Sequence, residues 1–131
     1  MSQPAEVRSC AESGQRLIHY EHSLNLAPLL SQLDISLLIT TYQAGKLVVV
    51  GVHQGGLALS FHNFQRAMGL AVKADRLAVG AQEQIWLLRA AANLGPRIEP
   101  VGRYDGCFLT RASFYTGDIQ GHELAWAGDD L

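Results

Sequence analysis

The stretch Met68-Gly69-Leu70-Ala71-Val72-Lys73-Ala74-Asp75-Arg76-Leu77 is written a second time, 54 positions on, as His122-Glu123-Leu124-Ala125-Trp126-Ala127-Gly128-Asp129-Asp130-Leu131. Each copy reads as a short apolar strand, a polar turn centred on an Asp, and a Leu that opens a returning strand. The first copy runs on through Ala78-Val79-Gly80, and the second ends on its Leu. A strand-turn-strand unit repeated at a fixed period cannot bury its apolar face alone and must stack on neighbouring copies, as in a propeller. A chain that ends inside such a unit is expected to be part of a larger fold.

The rest of the text agrees with strands. Ile35–Thr41 is β-branched and apolar, Tyr42-Gln43-Ala44-Gly45 supplies a turn, and Lys46–Val52 returns, rich in Val. Gln54-Gly55-Gly56 turns the chain into Leu57–Phe61, where large and small residues alternate. Met68–Val72, Arg76–Gly80 and Gln84–Arg89 follow, and after the break at Gly95-Pro96 a fourth, outer strand is expected over Arg97–Val101. Earlier in the chain, Asn25–Leu33 predicts two helical turns with Leu26, Leu29, Leu30 and Leu33 on one face; Pro28 is tolerated because it lies in the first turn. So short a helix must pack on something, and an open sheet edge is its expected partner.

Six strands at short, regular spacing with turns between them predict an all-β fold of antiparallel meanders. A doubly wound parallel sheet would need a helix between strands, and none is written here. The expectation is a partial β-propeller with one short N-terminal helix. Residues 35–62 form one incomplete blade, 68–101 a second, and 122–131 open a third. Residues 1–22 are expected to be a flexible polar leader, with a strand at Arg16–Tyr20, and 23–131 the domain itself, cut short at its C-terminus. Too few blades to close a ring leave sheet edges open to self-association or to pairing with missing blades.

Composition narrows the functions. The formal charge of −2 and the scattered arginines give no reason to expect nucleic acid. No apolar run approaches the ~20 residues that span a bilayer, and the start lacks the charged-then-apolar order of a signal peptide, so no membrane and a cytoplasmic location are expected. Cys10 and Cys107 lie far apart and are expected as reduced thiols.

The most polar segment, Arg103–Glu123, is longer than the ~12–15 residues beyond which loops are often functional. Tyr104, Asp105, Arg111, Asp118 and His122 are its candidate ligand-binding residues, with Asp118 and His122 the foremost. The competing reading makes Asp118 and Thr116 turn caps and Arg111 a tie to a neighbouring blade. No metal or other cofactor is expected, because no paired Cys or His spacing supports one. Cys107 as a nucleophile would need a His close in space, with His122 a candidate only by its position in the chain, and a buried inert thiol is the preferred reading. Ala44-Gly45-Lys46-Leu47 lacks both the upstream Gly and the following Ser or Thr of a phosphate loop. Trp86 and Trp126 occupy strand positions and read as packing residues.

With Thr40-Thr41-Tyr42-Gln43-Ala44-Gly45-Lys46-Leu47 the chain resembles a bacterial family of conserved hypothetical proteins that carry a domain of unknown function. The likeness continues through Met68-Gly69-Leu70-Ala71-Val72, Gln84-Ile85-Trp86 and Arg103 to Trp126, and covers residues 30–131. Members are usually much longer and resemble β-propellers, so the resemblance implies that this chain corresponds to their N-terminal part. The family pattern has Ala, Pro and Asp near the places where Gly106, Thr110 and Gln120 stand.

Three functional readings follow. The first is a non-catalytic, propeller-like binding module or an N-terminal fragment of one. The second is an enzyme or a carbohydrate or small-molecule site at a propeller mouth, built from the 103–123 loop. The third is a truncated gene product without independent function.

Overall fold

A computed structural model describes the backbone of Ser2–Arg8 and of residues 17–131, with side chains from Leu17 onward. Cys10, and Arg16 of the expected N-terminal strand, lie outside the described residues. By its contacts the chain divides into two units, Met1–Ile39 with Leu47–His62, and Thr40–Lys46 with Asn63–Leu131. The fold is mostly β, with one short helix, as the strand pattern predicts.

In the first unit, β1 (Ser2–Arg8) and β2 (Leu17–Ser23) pair antiparallel from Ser2 opposite Ser23 to Arg8 opposite Leu17. The sequence pattern points to β2 but gives no sign of β1. Helix α1 (Leu26–Leu33) ends on Asp34, whose left-handed backbone returns its N–H to the last turn. Its buried residues are Ala27 and Leu30, whereas Leu29 and Leu33 of the expected stripe are exposed. Strands β3 (Leu37–Thr41), β4 (Lys46–His53) and β5 (Gly56–Asn63) form a three-stranded antiparallel sheet in that order, of which the β3–β4 tip, Thr40–Lys46, and Asn63 count with the second unit. Leu47 and Val50 of β4 are its buried residues, as befits the middle strand.

The second unit carries a four-stranded antiparallel sheet, β6 (Leu70–Lys73), β7 (Arg76–Gly80), β8 (Gln84–Ala90) and β9 (Phe108–Tyr115). Strand β7 is buried from Leu77 to Gly80, and Val79 is its largest wholly buried side chain. Burying one valine contributes about 1.5–3 kcal/mol. The 54-residue repeat is structural as well as textual. Lys73 pairs with Arg76 around Ala74 (φ 48°), and 54 positions later Ala127 pairs with Asp130 around Gly128 (φ 62°).

The outer strand is not where the sequence puts it. Arg97–Val101 forms no strand: Gly95–Arg97 is a 3₁₀ turn, and the following N–H groups bond locally, Ile98 to Gly95 and Arg103 to Pro100. Pro96 and Pro100 have no N–H to give a ladder. The fourth place is taken by β9, from inside the segment expected to be a loop.

Candidate functional site

The hairpin between β3 and β4 explains most of the Thr40–Leu47 motif. Thr41 Oγ1 accepts from the Lys46 N–H at 3.1 Å and closes the turn. Gly45 takes the positive φ (59°) that the turn requires, and its carbonyl accepts from the Phe64 N–H at 3.0 Å. Thr40 Oγ1 donates to the Met68 carbonyl at 2.7 Å, and Lys46 Nζ donates to Asn63 Oδ1. The motif thus ties the hairpin tip to the β5–β6 connection. Lys46, which a phosphate loop would turn on its ligand, is occupied by an amide oxygen.

That connection is bound in turn to the β7–β8 turn. The Gln82 N–H donates to the Gln65 carbonyl at 2.9 Å, and Gln65 Nε2 donates to Gln82 Oε1 at 3.0 Å. The Gln82 carbonyl accepts from the Gln120 N–H at 3.1 Å, and the Glu83 carbonyl accepts from Thr116 at 2.8 Å, which fixes the chain leaving β9. Tyr42 donates its hydroxyl to Gln120 Oε1 at 2.9 Å. Four connections, far apart in sequence, therefore meet at one end of this unit.

Close approach makes the meeting possible. A Cβ on Gly80 would lie 3.0 Å from the Gly121 carbonyl oxygen, and one on Gly69 would lie 3.0 Å from Leu124 Cγ. Two residues here hold a left-handed backbone without being glycine, Arg66 (φ 49°) and Gln120 (φ 48°). Such conformations cost of order 1–3 kcal/mol and gather where a site over-determines them. Both converge on Tyr42: the Arg66 guanidinium stands 5.6 Å from the ring centroid, and Gln120 holds the hydroxyl.

Beside this network lies an open cleft of about 160 Å³, lined by Phe64, Gln65, Gln82, Glu83, Gln84 and Trp86 among others. Phe64 and Trp86 meet edge to face at 6.0 Å, an arrangement that fixes both rings. Asn63, also on the cleft wall, accepts from Lys46; beyond that bond and the Gln65–Gln82 bond, the cleft's side-chain amides and the Glu83 carboxylate make no side-chain hydrogen bond among the described residues. Amides offer donor and acceptor together, the chemistry that matches vicinal hydroxyls.

The five sequence-predicted residues do not gather at one place. Strand β9 separates them, because eight residues of strand span roughly 23 Å at ~3.3 Å each. Tyr104 and Asp105 precede its start, where the Ala91 N–H donates to the Cys107 carbonyl at 2.7 Å. Arg103 lies against Tyr104, its guanidinium 5.8 Å from the ring centroid. Asp118 and His122 follow its end, on either side of Gln120, and both are exposed. Arg111 stands within β9 at a bulge. Among the described residues no three His, Cys, Asp or Glu groups are placed to hold a metal ion. Sequence reasoning missed Tyr42, Phe64, Gln65, Gln82 and Gln84. The polar run Gln82-Glu83-Gln84, between two apolar strands, was the signal for three of the cleft's residues.

Fold and cleft define a class: an antiparallel β-meander protein with an amide- and aromatic-lined cleft at the connections of its larger sheet. The chain belongs to the family defined by a domain of unknown function (DUF4915), which it matches over residues 24–131. No curated protein and no solved structure matches it.

Proposed function

We propose that this chain is a non-catalytic, propeller-like binding module whose ligand meets the end where 42–45, 63–67, 81–84 and 116–122 come together. The observation that carries this reading is the doubly held Tyr42 beside a cleft of amides and aromatic rings. Planar polar groups of this kind suit a neutral polyhydroxylated ligand, a carbohydrate or a molecule like it. Asp118 and His122 flank Gln120 and belong to the proposed surface; Tyr104 and Asp105, at the other end of β9, are left out of it. The two matched turns of the 54-residue repeat support the propeller-like build. The family match from residue 24 supports a domain over 23–131 that follows a leader. Among the described residues no helix is long and apolar enough to cross a membrane, and a cytoplasmic location is part of the reading, to be checked by cell fractionation.

Saturation-transfer NMR with maltose, cellobiose and lactose tests it. Transfer from the protein to at least one sugar is expected, with loss in Gln82→Ala and no new product signals. No transfer to any of the three, or transfer that survives Gln82→Ala, overturns the reading. Appearance of hydrolysed sugar would instead establish an enzyme, with Asp118→Ala and His122→Ala as the next variants.

A further inference from the structure

A second groove, of about 200 Å³, lies on the β7–β8–β9 sheet and carries three arginines. Arg76 of β7 stands directly opposite Arg89 of β8, so the two side chains leave the same face of the sheet. The register of β8 and β9 shifts between Leu87 and Leu88, because Leu87 faces Ala112 while Leu88 faces Thr110, and Arg111 is the extra residue. Bulges of this kind re-aim a side chain, and here Arg111 lines the same groove. Leu87, two residues from Arg89, and Ala112, which faces it on β9, share that face and give the groove an apolar floor, and Trp126 forms a wall.

Like charges placed directly opposite on neighbouring strands destabilise a sheet. Two carboxylates answer part of this charge. Asp75 Oδ2 pairs with Arg89 Nη1 at 2.9 Å. Asp129 Oδ1 is shared between Arg76 Nη1 at 3.3 Å and Lys73 Nζ at 3.4 Å, and its side chain is 82% exposed. The Arg111 side chain has no ion-pair or hydrogen-bond partner among the described residues. An ion pair as exposed as that of Asp129 is weak and yields readily to another anion. Guanidinium groups are forks suited to carboxylate and phosphate oxygens. The Trp126 indole is fixed by its own bond, Nε1 to the Ala71 carbonyl at 3.2 Å, and carries Arg76 5.8 Å from its ring centroid.

We propose that this groove binds an organic oxyanion, a carboxylate or phosphate monoester carried on a flat apolar body. Its oxygens bridge Arg111 and Arg76 in place of Asp129, and its body rests on Leu87 and Ala112. The site is independent of the amide cleft, and neither reading depends on the other.

Phenyl phosphate and inorganic phosphate, titrated separately into the 15N-labelled full chain at low salt, test the proposal through the two indole N–H signals. The Trp126 signal, assigned by its loss in Trp126→Phe, should move saturably with phenyl phosphate while that of Trp86 stays in place. Arg111→Gln should weaken binding at least about tenfold, since charge-assisted hydrogen bonds are among the stronger ones. Arg111→Lys should fall between, and the exposed Arg97→Gln should bind as the parent does. No saturable movement at millimolar ligand, both indoles moving together, or equal losses in Arg97→Gln and Arg111→Gln would overturn the site. Equal affinity for inorganic phosphate would refute the apolar body.

Discussion

Tyr42 and Gln120, 78 residues apart, are joined by a 2.9 Å hydrogen bond from the phenol to the amide oxygen. It ties the β3–β4 hairpin tip to the connection that leaves β9. Gln120 holds an unfavourable backbone conformation at that point. A bond that recovers part of such a cost has a local readout as well as a global one.

Tyr42→Phe removes the hydroxyl and leaves the ring under Arg66. The expected loss is about 1 kcal/mol, read as a lower urea midpoint with unchanged slope. Amide exchange should quicken at Gln120, whose N–H bonds to the Gln82 carbonyl, ahead of residues in β7.

Gly95→Ala and Gly106→Ala should differ sharply. A Cβ on Gly95 would sit 2.6 Å from the Gly106 backbone nitrogen, whereas one on Gly106 meets nothing within 4 Å. Overpacking against backbone costs about 1–3 kcal/mol, so Gly95→Ala should lower the thermal midpoint by several degrees. Gly106→Ala should leave it nearly unchanged.

The two repeat turns invite a reciprocal exchange. Ala74 holds φ 48° with a side chain that disfavours it, and Gly128 holds φ 62° freely. Ala74→Gly should stabilise the chain and Gly128→Ala destabilise it, each by up to about 1 kcal/mol. Denaturant titration of both variants reads the two signs.

His62 gives a pH dependence. Its imidazole contacts Ser60 Oγ at 3.0 Å, and desolvation lowers its pKa below the ordinary 6.5. The unfolded chain then binds more protons than the folded one as the pH falls through and below 6.5, so stability is lost in that direction and is fully present above it. The difference in urea midpoint between the parent and His62→Gln should shift in the parent's favour from pH 5.5 to pH 7.5 (buffer conditions spanning about one unit either side of 6.5). A difference that is flat across this range would remove His62 as a source.

Asp129→Asn tests the cationic groove without any ligand. It takes the shared carboxylate from Lys73 and Arg76. Stability should change by less than about 1 kcal/mol, as for other exposed pairs, while affinity for phenyl phosphate should rise. Calorimetric titration of parent and variant makes the comparison.

Local pattern determined much of this protein. Strand alternation placed β3 to β8, the leucine run placed α1, and the repeated Asp turn placed two equivalent reversals, because each depends on neighbours a few residues away. Thr41 and Gly45 wrote their hairpin in the same way. Strand β9 was not legible: Phe108–Tyr115 is a sheet edge, mostly exposed, and its bulge at Arg111 breaks the two-residue period. Arg97–Val101 looked like its substitute only because local text does not reveal which strand reaches β8. Tertiary structure also divided the Arg103–Glu123 segment, sending Asp105 and Asp118 to opposite ends of a strand. It brought Tyr42, Gln65, Gln82 and Gln120 together through bonds spanning 17 to 78 residues. Contacts of that range leave no periodic mark on the chain, since they are fixed by how whole elements pack.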